Sequence, residues 1–169
     1  SIKKISPVKL RIKSPEETGK TFSSNSQLKV KYFSKFTNLP VISDDSGICI
    51  KALGKQPGIY SARWAKKHGS FSNAMKFILK KMKKTKDRSA TFVCSLSFKY
   101  PGKKIITVVG KIKGKISYKM RGFRGFGYDP IFIPNTKTCT FGEMSKLKKI
   151  NMDHRYIAFR KLKKKVKIL

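Results

Sequence analysis

The chain of 169 residues has 39% apolar content, enough for one domain that buries roughly two thirds of its unfolded surface, which excludes both a small disulfide scaffold and a multidomain assembly. Its 41 Lys and Arg against 8 Asp and Glu give a formal charge of +33, a surface that attracts polyanions, while 12 Phe, 6 Tyr and long Val/Ile/Leu runs exclude a disordered chain. Of the basic residues 34 are Lys and seven are Arg, and a Lys excess spread over every segment points to compositional bias more than to a nucleic-acid footprint, which favours bidentate Arg.

In chain order, Val8 to Lys13 alternates apolar and basic residues and predicts a strand with one wet face, ended by Ser14-Pro15. From Thr21 to Thr37, Leu28, Tyr32, Phe33 and Phe36 recur at helical steps and predict a helix with that buried face, stopped by Asn38-Leu39-Pro40. Pro40 to Ser43 reads as a short strand that breaks at Asp44-Asp45-Ser46-Gly47 and resumes over Ile48 to Ile50. Gln56-Pro57-Gly58 reads as a turn. Ser70 is the N-cap expected of a helix with Phe71, Met75, Ile78, Leu79 and Met82 on its inner face. Thr91 to Phe98 and Lys104 to Ile112 predict a hairpin around Tyr100-Pro101-Gly102, with Gly114 to Tyr118 continuing the sheet after a bend. Arg121 to Asp129 is a glycine-rich loop, Pro130 to Ile133 a short strand, and Asp153 to Val166 a final helix with Ala158, Phe159, Leu162 and Val166 inward. The pattern is α/β within a single domain, 1–169.

Cys49, Cys94 and Cys139 stand 45 residues apart with no partner at metal-ligand spacing and read as reduced thiols. With no apolar run of membrane-spanning length and no secretory leader, a cytoplasmic location and no membrane partner are expected.

Three constellations could carry chemistry. The eight acids are Glu16, Glu17, Asp44, Asp45, Asp87, Asp129, Glu143 and Asp153, and two adjacent pairs stand out against a Lys surface. Paired carboxylates followed by Ser-Gly can ligate Mg²⁺, which keeps much of its shell for water and phosphate, and one of them can serve as base for a water; alternatively, Asp44 or Asp45 only caps a turn. Gly122-Phe123-Arg124-Gly125-Phe126-Gly127-Tyr128-Asp129-Pro130 lets backbone approach a planar ligand on which a ring stacks, or is a tightly packed connection. Lys148-Lys149 followed by Asp153-His154-Arg155 opens the last helix, where free N–H groups and His154 and Arg155 could meet oxygens of a base or phosphate, or form a solvated first turn.

Taken in order, the segments Ser14-Pro15-Glu16-Glu17-Thr18-Gly19, Leu39-Pro40 with Asp44-Asp45-Ser46-Gly47, Ala52-Leu53-Gly54, Pro57 to Ala65, Gly125 to Phe132, Thr140 to Met144 and His154-Arg155 resemble the inosine/xanthosine triphosphate pyrophosphatase family. The resemblance covers about residues 7 to 163. It implies an α/β fold with a long mixed sheet, two lobes with a central nucleotide cleft, a homodimer, and Mg²⁺-dependent hydrolysis of ITP, dITP and XTP to the monophosphate and pyrophosphate. It implies Asp45 as catalytic carboxylate and metal contact, Glu16 or Glu17 as the other metal contact, Lys29 on the triphosphate and Ser46 near the metal. Phe126, Gly127, Tyr128 and Asp129 would frame the base with Lys149, and His154 and Arg155 would read the 6-oxo group.

The chain also departs from the family pattern. The family's opening strand and its Thr/Ser-x-Asn-x-x-Lys phosphate loop have no counterpart in the 169 residues, which open at what is expected to be the second strand. Ser24 stands where an acid is common, Asp153 replaces Ser before His-Arg, and the Lys excess is atypical. The competing expectation is a basic nucleic-acid-binding protein on the same fold, supported by the charge and by runs such as Lys163-Lys164-Lys165, and opposed by the clustered acids; nonspecific polyanion binding is expected under either.

Overall fold

The computed structural model describes residues 5–166. In order, Phe22–Phe33 form helix α1, Val41–Ile50 strand β1, Ser61–Lys67 helix α2, Phe71–Lys81 helix α3, Ser89–Lys99 strand β2, Ile106–Ile116 strand β3, Phe132–Pro134 strand β4, Lys146–Ile150 helix α4 and His154–Lys165 helix α5. The class is α/β, as expected. The described sheet runs β1-β2-β3-β4 and every pairing in it is antiparallel, where parallel pairs were also expected. Each strand lies beside its sequence neighbour, so no parallel crossover is required.

Side chains set the helix starts. Thr21 and Ser24 cap α1 reciprocally, the Ser70 hydroxyl accepts from the Asn73 N–H at α3, and Asp153 accepts from the Tyr156 N–H at 2.9 Å at α5.

The two faces of the sheet differ chemically because successive side chains point to opposite sides. Ser43, Asp45, Ser95, Ser97 and Thr107 face α1, where the Ser26 hydroxyl lies 3.0 Å from that of Ser95 and 2.8 Å from that of Ser97, and Thr107 lies 2.9 Å from Ser97. The opposite face is apolar and carries two clusters along its length. At one end Cys94, Leu96, Phe98 and Val108 pack on Ala158, Leu162 and Val166; at the other Ile48, Ile50 and Phe92 pack with Ala74, Met75 and Ile78 of α3 and with Phe132 and Phe141. Each such buried aliphatic or aromatic side chain stabilises by about 1.5–3 kcal/mol. The clusters meet where α5 begins, with His154 stacked parallel on Phe92 at 4.8 Å between ring centroids.

Several sequence expectations change. Val8 to Lys13 is not a strand: Pro7–Leu10 make a short 3₁₀ turn, with the Lys9 N–H donating to the Ser6 carbonyl, and Arg11 is left-handed at φ 53°. Among the described residues no strand edge lies against this segment, and without one the alternation has nothing to bury. The strand break at Asp44-Asp45-Ser46-Gly47 is absent, because all ten residues from Val41 to Ile50 pair with β2. Likewise β3 runs to Ile116 without a bend. Helix α1 ends at Phe33 and buries Asn25, Ser26, Val30 and Phe33, which leaves Phe36 55% exposed; Phe159 points away from the α5 seam and is 51% exposed. Helices α2 and α4 were not expected. The hairpin of β2 and β3, α3 and α5 match expectation. No helix among the described residues is long and apolar enough to cross a membrane.

Helix α5 lies directly against the backbone of β3 at Gly110, where a Cβ would collide with the His154 carbonyl and the Ala158 backbone. We expect Gly110→Ala to destabilise the fold by about 2–3 kcal/mol, as overpacking against backbone does, measured as a lower midpoint of denaturant unfolding with an unchanged slope.

Candidate active site

A cleft of about 550 Å³ opens at the junction of the two apolar clusters. Its walls are the middle of β1 (Asp44 to Gly47), Glu17, Lys29 of α1, α2, the start of α3, Phe126 to Asp129, and His154 and Arg155 at the start of α5. Strand β1 is the edge of the described sheet, so Asp44 and Asp45, which point to opposite faces, both reach this opening.

At one end, Asp45 is 6% exposed and accepts a 3.0 Å bond at Oδ2 from Asn25 Nδ2. Burial pushes its carboxyl up to about 6; the Asn25 bond and Lys29 oppose the rise, and the negative charges of Glu17 and Asp44 add to it. Lys29 is ion-paired with Glu17, and Arg63 donates to the Glu17 carbonyl. With Lys66 these cations form a positive wall beside two carboxylates. Asp44 accepts from Ser46 Oγ at 2.9 Å and from Arg155 at 3.4 Å.

At the other end, the Tyr128 hydroxyl donates to the Ser61 carbonyl at 2.9 Å and its ring is buried, while Phe126 is 67% exposed with its ring 5.0 Å from Phe71. Asp129 Oδ2 accepts from the Phe126 N–H at 2.6 Å and lies 2.8 Å from Lys149 Nζ. Burial raises the Asp129 carboxyl, and Lys149 pulls it back. His154 is buried, and its pKa falls to about 3 through that burial and the neighbouring Arg155 and Lys149 charges, so the imidazole stays neutral. Among the described residues its Nδ1 has no hydrogen-bond partner.

Of the residues singled out from the sequence, Glu17, Lys29, Asp45, Ser46, Phe126, Gly127, Tyr128, Asp129, His154 and Arg155 all line this cleft. Glu16 is exposed and does not line it, and Lys149 stands behind Asp129, also near Asp153 at 3.7 Å. Sequence reasoning passed over Asn25, Arg63, Lys66, Phe71 and Phe92. Arg63 lies inside the segment Pro57 to Ala65, and Phe71 and Phe92 fall on faces that periodicity turns inward without marking a site; Asn25 and Lys66 are polar positions on which a search for buried faces has no hold.

Among the described residues no group of three or more His, Cys, Asp or Glu is disposed to hold a metal ion. Two carboxylates, Glu17 and Asp45, on one cleft are a donor set that suits a hard cation keeping water and phosphate in most of its shell, and does not suit a fully protein-caged ion. Outside the cleft the acids serve the fold: Asp87 accepts from the Ser89 N–H and pairs with Lys51, and Glu143 accepts from the Thr140 N–H.

Comparison with known proteins gives a consistent result. The Ham1 family matches over residues 1–165. The chain is 42% identical over 156 residues to a dITP/XTP pyrophosphatase of Caulobacter vibrioides, covering 91% of this chain and 80% of that protein. It is 42% identical over 166 residues to one of Dictyoglomus thermophilum, covering 96% and 80%. The Ham1 protein of Staphylococcus aureus superposes with a TM-score of 0.89 at 37% identity, covering 95% of this chain and 84% of that one; a HAM1 protein from Coxiella burnetii does so with 0.87 at 32%, covering 95% and 83%. A match along nearly the whole sequence, at this identity and with this fold, makes the chain a member of the Ham1 family.

Proposed function

We propose that this chain is a nucleoside-triphosphate pyrophosphatase that hydrolyses the non-standard purine nucleotides ITP, dITP and XTP to the monophosphate and pyrophosphate. One observation carries the reading: a single cleft holds a carboxylate pair beside three cations at one end, and an exposed ring, a neutral histidine and an arginine at the other. A phosphate chain and a planar base need those two ends. The resemblance to dITP/XTP pyrophosphatases supports the same substrate class.

At the phosphate end, Lys29, Arg63 and Lys66 offset the negative charge of the triphosphate, which strengthens as the bridging oxygen departs. Asp45, with one oxygen bonded to Asn25, takes the proton of a water whose oxygen bonds to the α-phosphorus, while the bond from that phosphorus to the bridging oxygen breaks and pyrophosphate leaves. Glu17 and Asp45 are the residues that would hold Mg²⁺, whose chemistry there is to withdraw charge from phosphate oxygens. We assign the second contact to Glu17 over Glu16 because Glu17 lines the cleft.

At the base end, Phe126 offers a stacking face, and His154 and Arg155 offer donors to a 6-oxo group. Adenine presents an amino group there, leaving the buried His154 donor unpaired at a cost of about 1–3 kcal/mol; the Arg155 donor, half exposed, can turn to water instead. Lys149 acts through Asp129, whose carboxylate it holds beneath the loop. We further propose a cytoplasmic homodimer, supported by unpaired Cys49, Cys94 and Cys139 and by the exposed Phe36, Leu39 and Ile42 around the turn into β1, and nonspecific, salt-sensitive polyanion binding, supported by the charge of +33.

Asp45→Asn keeps volume and removes charge, and should lower pyrophosphate release from ITP by at least about a hundredfold with the circular-dichroism spectrum unchanged; retention of a tenth of the rate would remove Asp45 from the role of base. Turnover should require Mg²⁺, with little supported by Ca²⁺, and full activity in excess EDTA would exclude the metal contact of Glu17. His154→Ala with Arg155→Ala should narrow the ITP over ATP preference in competition assays by loss of ITP turnover, whereas an unchanged ratio would place base recognition elsewhere.

A further inference from the structure

We propose that Asn25 is a positioning residue for Asp45, and that Gly19 sets its orientation; this rests on Asp45 being the base of the reading above. Asn25 is 0% exposed. Its side chain sits between two groups of opposite chemistry: the Gly19 N–H donates to Oδ1 at 2.7 Å, and Nδ2 donates to Asp45 Oδ2 at 3.0 Å. A carboxamide is planar with an acceptor at one end and donors at the other, so anchoring the oxygen on Gly19 turns the nitrogen to Asp45. The flipped amide would set two donors against each other at Gly19 and two acceptors at Asp45, and is excluded on both counts. Asp45 Oδ2 is thereby held within the protein. Among the described residues Oδ1 takes no hydrogen bond, and it is the oxygen left for a proton from the cleft.

Gly19 permits this contact because a Cβ there would lie 2.5 Å from Asn25 Oδ1, and as close to the Ser24 hydroxyl of the α1 cap. Since Glu17 is two residues upstream of Gly19, the same amide ties the segment carrying one cleft carboxylate to the strand carrying the other. The rotation of α1 that delivers Asn25 is itself fixed by directional bonds. Ser26, the next residue, is bonded through its hydroxyl to Ser95 and Ser97, and its carbonyl accepts from the Ser43 hydroxyl at 2.7 Å. An apolar face could slide by a fraction of an ångström at little cost; this one cannot.

The test is steady-state kinetics on ITP with thermal unfolding recorded in parallel, for Asn25→Ala, Asn25→Asp, Gly19→Ala and the double variant Gly19→Ala/Asn25→Ala. Asn25→Ala and Gly19→Ala should each lower kcat by about ten- to a hundredfold, as misplacing a reacting group by about an ångström does, with KM within about twofold because the base end is untouched. Asn25→Asp, which sets a carboxylate against Asp45, should lose more. The double variant should lose less than the product of the two single losses, because the part of the Gly19 effect that runs through that amide is already gone in Asn25→Ala, while the crowding of Ser24 Oγ remains. Additive losses, a rise in KM matching the fall in kcat, or lowered unfolding temperatures with kcat preserved would each overturn the proposal. If Asp45→Asn is inactive while the Asn25 variants keep full kcat, this inference alone fails; if Asp45→Asn is active, the assignment of the base fails first.

Discussion

A carboxylate withdrawn from water loses hydration worth several kcal/mol unless cations or hydrogen bonds replace it, and Asp45 receives one bond from Asn25, with Lys29 close by. That partial compensation leaves its carboxyl near 6, still able to ionise at neutral pH but ready to take a proton. Every element at this end of the cleft bears on that balance. Helix α1 supplies Asn25 and Lys29, the leading segment supplies Glu17, and β1 holds Asp45 in a ladder bonded along its full length.

The helices on the two faces of the sheet are seated by different forces. Helix α1 rests on hydroxyls, whose bonds are directional, and carries Asn25 and Lys29 at the Asp45 end of the cleft; α5 rests on apolar side chains and on the backbone at Gly110, and carries His154 and Arg155. Close packing excludes water from the imidazole and keeps it neutral, so a donor to a carbonyl is present without a second positive charge. Arg155 supplies the cation, and Asp44 across the cleft restrains it.

Much of this arrangement was legible in the sequence. Helix α3 and the β2–β3 hairpin follow from periodicity, and the cleft residues from motifs that keep their order. What could not be read was the inner face of α1. Asn25 and Ser26 occupy buried positions that a search for apolar stripes passes over, and the stripe it found instead extended the face to Phe36, beyond the end of the helix at Phe33. Asp44-Asp45-Ser46-Gly47 looks like a turn because those residue types favour turns, yet pairing with β2 overrides the preference. Which of Glu16 and Glu17 lines the cleft also needed coordinates, since adjacent residues point apart.

Carboxylates are scarce here, and nearly all are held. Asp44, Asp45 and Glu17 are bonded in the cleft, Asp129 fixes its loop, Asp153 caps α5, and Asp87 and Glu143 bind nearby N–H groups. Among the described residues most lysines have no such attachment; Lys29, Lys51, Lys149 and Lys161, which donates to the Val109 carbonyl at 2.8 Å, are among the exceptions. The fold can therefore be recoded for laboratory handling by exchanging unattached lysines such as Lys76, Lys80 and Lys84 on and beyond the outer face of α3 for glutamate. Self-repulsion and adhesion to polyanions would ease, and the network that holds the carboxylates would stay as it is.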